Sequence, residues 1–394
     1  MSEPIPNRRA LTIMMVAVEP SADTIGAAVM TALRARCPNI RFIGCGGDAM
    51  AAAGLKSAFP VDGFAVMGLW DAAKVAFSAF ARARDLAALA AGEGADAAVF
   101  VDAWSFSRIC ATRFKKRAPH TALFKLAAPQ VWATRPKRTE FVAEMFDGVL
   151  CLLPFEPPLF DAAGARARFI GNPNFQSAWR SRGDGADFRA RHGVGDGPLL
   201  AVLLGSRKGE VNRLAEVMGE TVARLAAQTP DLTVVAPLAP RIEERARAAI
   251  AKWPIKPIIP QAEEKYDAFA AADAALAASG TVTTELAINA TPMVVAYKVD
   301  FLTAAWVRRA VITPYASIVN IAAGRAIAPE FLQENCTAEK MTAALAPLLR
   351  DGPERAAQLR GFDAVLSALG VDGPSAEDAA ASTLLDWLQI EPAA

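Results

Sequence analysis

Two short turns in the second half of the chain carry residues that could bind a nucleoside diphosphate. Gly205-Ser206-Arg207 follows the apolar run 199–204, and Ser279-Gly280-Thr281 follows the apolar run 274–278. Small residues after a buried strand let backbone N–H groups approach an anion, and the next helix adds partial positive charge. Glu285, one turn inside the second helix, could bind sugar hydroxyls. Taken singly, however, such turns are more often simple helix caps.

The elements that must position these turns alternate regularly along the chain. Short apolar runs separated by helical patterns predict parallel sheets with helices on both faces, and hence an α/β fold. The predicted strands are 11–18, 41–44, 97–101, 121–125, 148–153 and 169–171 in the first half, then 199–204, 233–236, 256–259, 274–278 and 293–297.

A shift toward Arg, Gly and Asp in residues 179–198 predicts a linker, with residues 181–185 as its best candidate. The expected domains are therefore 1–178 and 179–394. The second domain is predicted to end in helices 338–349, 353–369 and 375–388. Thr337 is a plausible N-cap of the first of these helices, and Gly370 a stop for the second.

Composition excludes several classes of protein. A length of 394 residues suggests two domains, and a net charge of +1 argues against a nucleic-acid binder. The five cysteines are scattered without a C-x-x-C pair, which supports neither a zinc site nor a disulfide framework and fits a reducing cytosol. Two histidines make a Ser-His-Asp triad or a histidine-rich metal site improbable. No uninterrupted apolar stretch reaches about 18 residues, so we expect a soluble or peripheral protein.

The first turn of the chain excludes another class. Glu19-Pro20-Ser21-Ala22-Asp23 follows the first predicted strand where a dinucleotide-binding protein would carry G-x-G-x-x-G. The only glycine close to this turn is Gly26. The NAD fingerprint is absent, although dehydrogenases also pair two α/β domains.

At this point a set of short motifs, in order along the chain, resembles the lipid-A-disaccharide synthase family of inverting glycosyltransferases. The matching segments are Glu19-Pro20-Ser21-Ala22-Asp23, Ala65-Val66-Met67-Gly68, Val101-Asp102-Ala103, Ala128-Pro129-Gln130-Val131-Trp132-Ala133, Leu153-Pro154-Phe155-Glu156, Arg168-Phe169-Ile170-Gly171, Gly205-Ser206-Arg207, Ala278-Ser279-Gly280-Thr281 with Glu285, Pro292-Met293-Val294-Val295, Asn320 with Ala323-Gly324-Arg325, and Phe331-Leu332-Gln333.

The resemblance implies the GT-B fold, in which two Rossmann-like domains face each other across a cleft and C-terminal helices pack back. It also implies transfer from UDP-2,3-diacylglucosamine to 2,3-diacylglucosamine 1-phosphate, giving the β-1,6 disaccharide and UDP, without a cofactor or a metal. Asp102 resembles the catalytic aspartate, which would act as general base on the acceptor hydroxyl. From the residues alone, Asp102 could equally be a helix N-cap or a solvated loop residue.

The remaining site residues follow from the same resemblance. Arg207 and the two helix N-termini would neutralise the departing diphosphate, although an arginine there could also form a surface ion pair. The expected donor residues are Gly205, Ser206, Arg207, Ser279, Gly280, Thr281 and Glu285, the last on the ribose. The expected acceptor-side residues are Glu19, Ser21, Asp23, Met67, Trp132 and Asn320.

Because both substrates of the family carry acyl chains, the resemblance implies a cytoplasmic protein bound peripherally to the inner face of the cytoplasmic membrane. Residues 63–80 are rich in apolar and aromatic side chains and could form the interfacial surface, or could equally be a core helix with its entry loop. Residues 301–309, with Trp306 before Arg308-Arg309, are a second candidate for contact with lipid head groups. Family members can also exchange C-terminal portions in a homodimer.

Most departures from the family pattern lie in the first half. Two glycines of the first turn are replaced by Val18 and Ala22, and a carboxylate and an amide after Asp102 are replaced by Ser105 and Ser107. The motifs expected to bind the donor, in the second half, match the family pattern more closely. Three interpretations stay open: a divergent synthase, a paralogue with another acceptor, and a catalytically silent UDP-sugar-binding protein. A UDP-sugar epimerase of the same fold is the alternative of a different class.

Overall fold

The computed structural model describes residues 10–61, 71–132, 134–300 and 313–391, and for residues 71–77 the backbone alone. The chain forms two compact units. Unit 1 consists of Met1–Pro173 with Pro374–Ala394, and unit 2 consists of Asn174–Gly373. No helix in the described part of the chain is long and apolar enough to cross a membrane. All five cysteines are free thiols.

Unit 1 contains a six-stranded parallel sheet in the order β2-β1-β3-β4-β5-β6. Strands such as β3, whose five residues are at most 1% exposed, are covered on both faces, which is why they appear in the sequence as continuous apolar runs. Because β2 and β3 flank β1 on opposite sides, the strand order reverses between β1 and β3. The strands are β1 (Thr12–Val16), β2 (Arg41–Cys45), β3 (Ala97–Val101), β4 (Ala122–Leu126), β5 (Gly148–Cys151) and β6 (Ala167–Phe169).

The helices of unit 1 follow the strands in the alternating order that the sequence predicts. Helices α3 and α4 pack against each other on one face of the sheet, where Ala83, Leu86, Cys110 and Phe114 join its core. These helices are α1 (Pro20–Arg36), α2 (Asp48–Ala52), α3 (Asp71–Gly92), α4 (Trp104–Arg117), α5 (Arg138–Met145) and α6 (Pro157–Asp161).

Unit 2 contains a five-stranded parallel sheet in the order β11-β10-β9-β7-β8, so the order reverses at β7. Its strands are β7 (Leu199–Leu203), β8 (Thr233–Val235), β9 (Ala274–Ala278), β10 (Met293–Tyr297) and β11 (Glu330–Leu332). Its helices, the first of which begins at the boundary between the units, are α7 (Pro173–Arg180), α8 (Gly185–His192), α9 (Lys208–Gln228), α10 (Glu243–Ile250), α11 (Lys265–Ala271), α12 (Val282–Ile288), α13 (Ile318–Ala323), α14 (Ala338–Leu345) and α15 (Pro353–Ala368).

The last helix, α16 (Ala376–Trp387), belongs to unit 1. Its Leu384 lies in the core with Ile13 and Met15, and Trp387 stacks on Phe124 with ring centroids 5.6 Å apart. The sequence-based division at residue 178 lies five residues beyond the observed end of the first segment at Pro173, and it assigned this helix to the second domain. Exchange of the tail between two subunits stays a prediction.

The predicted linker is a packed part of unit 2, and this prediction was wrong. Asp184 accepts a hydrogen bond from the N–H of Asp187 and caps α8, which lies within the proposed linker. A Cβ on Gly183 would lie 2.1 Å from the backbone of Tyr266. This glycine therefore permits close packing of two backbone segments and does not mark flexible chain.

At the edges of the unit 2 sheet, one predicted strand is not formed and one observed strand was not predicted. Residues 256–259 make a single bridge, between Val235 and Ile258, because the next N–H that would face β8 belongs to position 260, which is a proline. The three-residue strand β11 pairs with β10 although the sequence did not predict it. The N-cap role of Thr337 and the stop at Gly370, whose φ is +64°, are confirmed.

Candidate active site

In unit 1, Glu19 and Asp102 follow the carboxyl ends of β1 and β3, the pair between which the strand order reverses. Open α/β sheets bind ligands outside this point. Partial burial is the largest cause that raises the pKa of Glu19, and the negative charge of Asp102 raises it further. The two carboxylates therefore form an interacting pair at one edge of the sheet.

Asp102 lies on a strained turn. Asp102 and Ala103 have φ values of +48° and +40°, a left-handed region that residues other than glycine seldom occupy. The turn is held by its backbone, because the N–H of Asp102 donates to Leu126 O at 2.9 Å and Ser107 Oγ donates to Asp102 O at 2.8 Å. Within the described residues the Asp102 carboxylate accepts no hydrogen bond, so it does not cap α4. The exposed carboxylate is available to a substrate.

Lys125, on β4, lies beneath this turn and is fully buried. Its ammonium donates to three backbone carbonyls, those of Phe100 at 3.2 Å, Asp102 at 2.7 Å and Leu126 at 2.9 Å. Burial lowers the pKa of Lys125 to about 7, while the charges of Asp102 and Glu19 oppose that shift. Sequence reasoning missed this residue, although a lysine inside the apolar strand Ala-Leu-Phe-Lys-Leu was the available signal.

Of the other acceptor-side residues near β1, Ser21 is exposed on the first turn of α1, whereas Asp23 is buried. The Asp23 carboxylate accepts the N–H groups of Gly47 at 2.7 Å, Ala49 at 2.9 Å and Met50 at 3.2 Å. These contacts cap α2 and hold the loop after β2 against α1. The geometry therefore gives Asp23 a supporting position beneath the strand ends.

Trp132 is fixed by a buried carboxylate. Its Nε1 donates to Glu156 Oε1 at 3.1 Å, and Glu156 Oε2 accepts the N–H groups of Leu152 and Leu153. Burial raises the pKa of Glu156 to about 7, although these three hydrogen bonds lower it. Glu156 belongs to the Leu-Pro-Phe-Glu motif, and its function there is to hold Trp132 in place.

A cationic cluster lies beside the Asp102 turn. Arg138, at the start of α5, has its guanidinium 5.5 Å from the centre of the Trp104 ring, and Trp104 is two residues after Asp102. Burial is the largest cause that lowers the pKa of Arg138, and the positive charges of Arg135 and Arg108 lower it further, so the charges of these three arginines act on one another. No carboxylate among the described residues forms an ion pair with Arg108 or Arg138. We call these three arginines with Trp104 the arginine cluster.

In unit 2, the turn after β7 is a helix cap. Gly205 has a φ of +91°, and Glu210 Oε2 accepts the N–H groups of Ser206 at 2.9 Å and Arg207 at 3.1 Å. The expected anion site at these two backbone groups is therefore filled by the chain's own carboxylate, which sequence reasoning missed. The Arg207 side chain is 78% exposed and contacts Glu210 Oε1 at 2.9 Å.

The turn after β9 differs, because no side chain caps it. Ser279 Oγ donates to Ala316 O at 2.8 Å, and Thr281 occupies the N-cap position without a side-chain hydrogen bond. Within the described part of the chain, the N–H groups of Gly280, Thr281 and Val282 have no hydrogen-bond partner. A Cβ on Gly280 would meet no atom within 4 Å. Because β7 and β9 are adjacent parallel strands, this turn lies next to Arg207 at the same sheet edge.

Glu285 lies one turn inside α12, where its Oε2 forms an ion pair with Lys265 Nζ at 2.6 Å and its Oε1 accepts the Tyr266 hydroxyl at 3.3 Å. Burial and the neighbouring Glu285 raise the pKa of Tyr266 to about 12. The Glu285 side chain remains 19% exposed. Each carboxylate oxygen can accept a second hydrogen bond, so Glu285 can also receive sugar hydroxyls.

Asn320 is buried in a hydrogen-bonded network of unit 2. Its Nδ2 donates to Ala328 O and to Glu330 Oε1, both at 2.8 Å, and its Oδ1 accepts two backbone N–H groups. Glu330 also accepts the N–H groups of Ala316 and Ser317, and so orders the segment that receives the Ser279 hydroxyl. With these bonds made, the geometry gives Asn320 a supporting role.

Met67, most of the predicted interfacial stretch 63–80, and residues 301–309 lie outside the residues or side chains that the structure describes. In the parts that are described, no group of three or more His, Cys, Asp or Glu side chains is arranged to hold a metal ion.

Comparison with known proteins identifies the family. A family model described as lipid-A-disaccharide synthetase matches residues 13–381. The lipid-A-disaccharide synthase of Paramagnetospirillum magneticum is 38% identical over 383 residues, which are 96% of this chain and 98% of that protein. The enzyme of the same name from Rhodospirillum centenum is 39% identical over 380 residues, covering 95% and 94%.

Solved structures with the same fold are more distant. The UDP complex of S. aureus MnaA has a TM-score of 0.61 at 13% identity and covers 97% of each chain. CalG4, the calicheamicin glycosyltransferase, has a TM-score of 0.54 at 17% identity and covers 97% of this chain and 99% of its own. These likenesses confirm two Rossmann-like α/β units. The family model and the relatives at 38% and 39% identity show that the chain belongs to the lipid-A-disaccharide synthase family of glycosyltransferases.

Proposed function

We propose that this chain joins UDP-2,3-diacylglucosamine to 2,3-diacylglucosamine 1-phosphate, giving the β-1,6 disaccharide 1-phosphate and UDP. The observation that carries the proposal is the Asp102 carboxylate, which is exposed and unbonded on a turn that its backbone contacts hold in a strained conformation. Strain of this kind costs about 1–3 kcal/mol per residue and persists where the surroundings enforce it, often at functional sites.

In the proposed reaction, Asp102 accepts the proton of the acceptor 6-hydroxyl as that oxygen attacks the anomeric carbon of the donor. The bond between the anomeric carbon and the UDP oxygen breaks, and UDP leaves with the electron pair. Attack opposite the leaving group inverts the anomeric centre and gives the β linkage. General-base assistance of this kind contributes about 10²–10⁴ in rate.

The donor would bind at the turn after β9. The N–H groups of Gly280, Thr281 and Val282 have no partner among the described residues, and Arg207 on the adjacent turn offers an exposed guanidinium. Together they would neutralise the charge that develops on the departing diphosphate. Glu285 would accept the ribose hydroxyls while keeping Lys265 and Tyr266 as partners.

The acceptor phosphate would bind at the arginine cluster. The charges of Arg108 on α4, Arg135 just before α5 and Arg138 at the start of α5 act on one another, and the dipole at the start of α5 also favours an anion. Arginine binds phosphate through paired charge-assisted hydrogen bonds. The proximity of Trp104 to Asp102 in the chain would bring the bound acceptor near the proposed base.

Arg138→Met tests this subsite. With the phosphorylated acceptor, KM should rise about 10- to 100-fold, because one charged hydrogen bond contributes about 1.5–3 kcal/mol. With the same acceptor lacking its phosphate, Arg138→Met and the unchanged protein should react at equal rates. Arg84→Met, which removes a surface arginine paired with Asp85, is the matched control and should change neither rate. An equal loss with both acceptors would contradict a phosphate-binding role.

The proposed function itself is tested by supplying UDP-2,3-diacylglucosamine with and without the acceptor and measuring UDP and disaccharide. Disaccharide that forms only with the acceptor supports the synthase. Donor consumption only with a different acceptor would identify a paralogue, and isomerisation of the donor alone would identify an epimerase. UDP binding without any turnover would identify a silent binding protein.

We also propose that the α3–α4 face of unit 1 contacts the cytoplasmic membrane surface. Phe80 on α3 is 45% exposed, Arg113 on α4 lies 5.5 Å from its ring centre, and the last turn of α4 carries Lys115, Lys116 and Arg117. An exposed aromatic side chain with adjacent cations is typical of an interfacial surface that binds anionic lipids.

Phe80→Ser should weaken co-sedimentation with anionic phospholipid vesicles about 3- to 10-fold, because burying one aromatic side chain contributes about 1.5–3 kcal/mol at most. Leu159→Ser is the matched control, since Leu159 is 38% exposed on α6 outside this face. If both variants bound vesicles as tightly as the unchanged protein, the α3–α4 face would not be the membrane contact.

A further inference from the structure

We infer that Lys125 is a positioning residue for the reaction: its buried ammonium holds the turn that carries Asp102 and supplies positive charge to the Glu19–Asp102 pair. The inference rests on the proposed role of Asp102 as general base. Lys125 itself is enclosed beneath the turn and touches no substrate, so it would act through the aspartate.

All three N–H donors of the Lys125 ammonium form hydrogen bonds. Its three N–H donors are matched by the carbonyls of Phe100, Asp102 and Leu126, which belong to the ends of β3 and β4. A neutral amine has two N–H donors and would leave one carbonyl without this partner. The protonated form is therefore the one that ties both strand ends together.

Burying a charged lysine destabilises the folded protein unless its surroundings compensate for the lost hydration. Taking an ammonium out of water costs several kcal/mol, and an apolar side chain of similar length would often be as stable or more stable. The backbone around Lys125 indicates the role of its charge. Residues at both strand ends adopt left-handed backbone conformations, Asp102 and Ala103 after β3 and Ala127, with φ of +62°, after β4. The ammonium donates hydrogen bonds to backbone carbonyls that point inward at these turns and would otherwise lose a partner.

The electrostatic environment of Lys125 is simple. Among the described residues, the charges that act on it are those of Asp102 at the end of β3 and Glu19 at the end of β1. The effect is mutual, because the charge of Lys125 lowers the pKa of Glu19 while burial and Asp102 raise it. Removing the ammonium should therefore make Glu19 harder to ionise.

The effect of Lys125 on the reaction should depend on pH. The pKa of Lys125 is lowered to about 7, so the ammonium is present below that pH and is lost above it. The positioning effect is expected to be complete on the acidic side and to weaken on the alkaline side. The pH profile of kcat/KM should then show an alkaline limb that depends on residue 125.

The experiment compares Lys125→Met and Lys125→Arg by the disaccharide assay between about pH 5 and pH 9, with thermal melts of each variant. Lys125→Met should lower kcat/KM about 10- to 100-fold, move the acidic limb to higher pH and remove the alkaline limb, with the KM for the UDP-sugar unchanged. Lys125→Arg keeps the charge, so it should recover part of the activity and move the alkaline limb to higher pH.

Leu123→Ala is the matched control for simple loss of stability. Leu123 is buried at the opposite end of β4, and its truncation leaves a cavity in the core without touching the Asp102 turn. It should lower the melting temperature and leave both limbs of the pH profile in place. A folded Lys125→Met variant whose profile superimposes on that of the unchanged protein would overturn the inference.

A second readout separates this inference from the proposed function. The pKa of Glu19 can be followed by carbon NMR of labelled glutamate side chains in a protein that need not be active. If Lys125 supplies charge to the pair, the Glu19 pKa rises further in Lys125→Met; an unchanged Glu19 pKa overturns the electrostatic role. Failure of the unchanged protein to make disaccharide would instead count against the proposed function.

Discussion

Replacing Asp102 by asparagine is expected to lower kcat for disaccharide formation by about 10²–10⁴, the range that a general base contributes. Asparagine has nearly the same shape but cannot accept the proton of the attacking hydroxyl. Because the turn is held through the backbone carbonyl of Asp102, the substitution leaves the contacts from Lys125 and Ser107 in place. The KM values of both substrates and the melting temperature should therefore change little.

Asp85→Asn is the control for this variant. Asp85 is exposed on α3 and pairs with Arg84, so its neutralisation should leave kcat unchanged. Steady-state rates with both substrates saturating measure the effect directly. An Asp102→Asn enzyme that retains kcat within about fivefold of the unchanged protein would rule out Asp102 as the base, because removing a base should cost at least about 10².

The second large effect is expected for Gly205→Ala in the donor half. A Cβ at this position would lie 2.3 Å from Glu210 Oε2, and the φ of +91° is unfavourable for alanine. Glu210 would have to move, and the N–H groups of Ser206 and Arg207 would lose their acceptor. With Arg207 displaced, the affinity for UDP should fall about 100-fold, equivalent to about 2.8 kcal/mol.

Calorimetric titration with UDP and thermal melts measure the two consequences of Gly205→Ala. The melting temperature of Gly205→Ala should also fall, because strain at a left-handed position costs about 1–3 kcal/mol. Gly195→Ala is the control: a Cβ there meets no atom within 4 Å, so neither UDP affinity nor stability should fall. Unchanged UDP affinity in Gly205→Ala would place the diphosphate away from this turn.

The central strands were predictable from sequence because they are buried on both faces. Ala97–Val101, Ala274–Ala278 and Met293–Tyr297 are observed with the predicted bounds, since parallel strands covered by helices appear as uninterrupted apolar runs. The same logic fails at sheet edges. Residues 256–259 are apolar enough for a strand, but prolines limit their pairing, and the three residues of β11 are too few to show a pattern.

The polar segment near the start of unit 2 shows a different limit of sequence reasoning. Arginine, glycine and aspartate in residues 181–185 suggested a flexible linker, yet the aspartate and the glycines have structural reasons to be there. Asp184 caps a helix, and Gly183 and Gly185 allow their backbone to pack against that of α11. Composition describes how polar a segment is, and tertiary contacts decide whether it is ordered.

At the site, sequence motifs pointed to the strand ends but not to the contacts made there. Asp102 and Glu19 could be placed at one sheet edge because each follows a predicted strand. The partners that fix the site could not, since they come from elsewhere: Lys125 from a neighbouring strand, Glu210 from inside a helix and Glu156 from a distant loop. The supporting role of these three side chains becomes visible only in the folded structure, where they lie next to the site residues.

The most direct test of the proposed synthase reaction identifies the linkage in the product that the purified protein makes from UDP-2,3-diacylglucosamine and 2,3-diacylglucosamine 1-phosphate. Proton and carbon NMR of the isolated disaccharide report both the anomeric configuration and the hydroxyl that has been substituted. A β linkage to the 6-hydroxyl is the predicted result, because Asp102 would deprotonate that hydroxyl for attack opposite the UDP leaving group. An α linkage, or release of UDP without any disaccharide, would contradict the proposed synthase reaction.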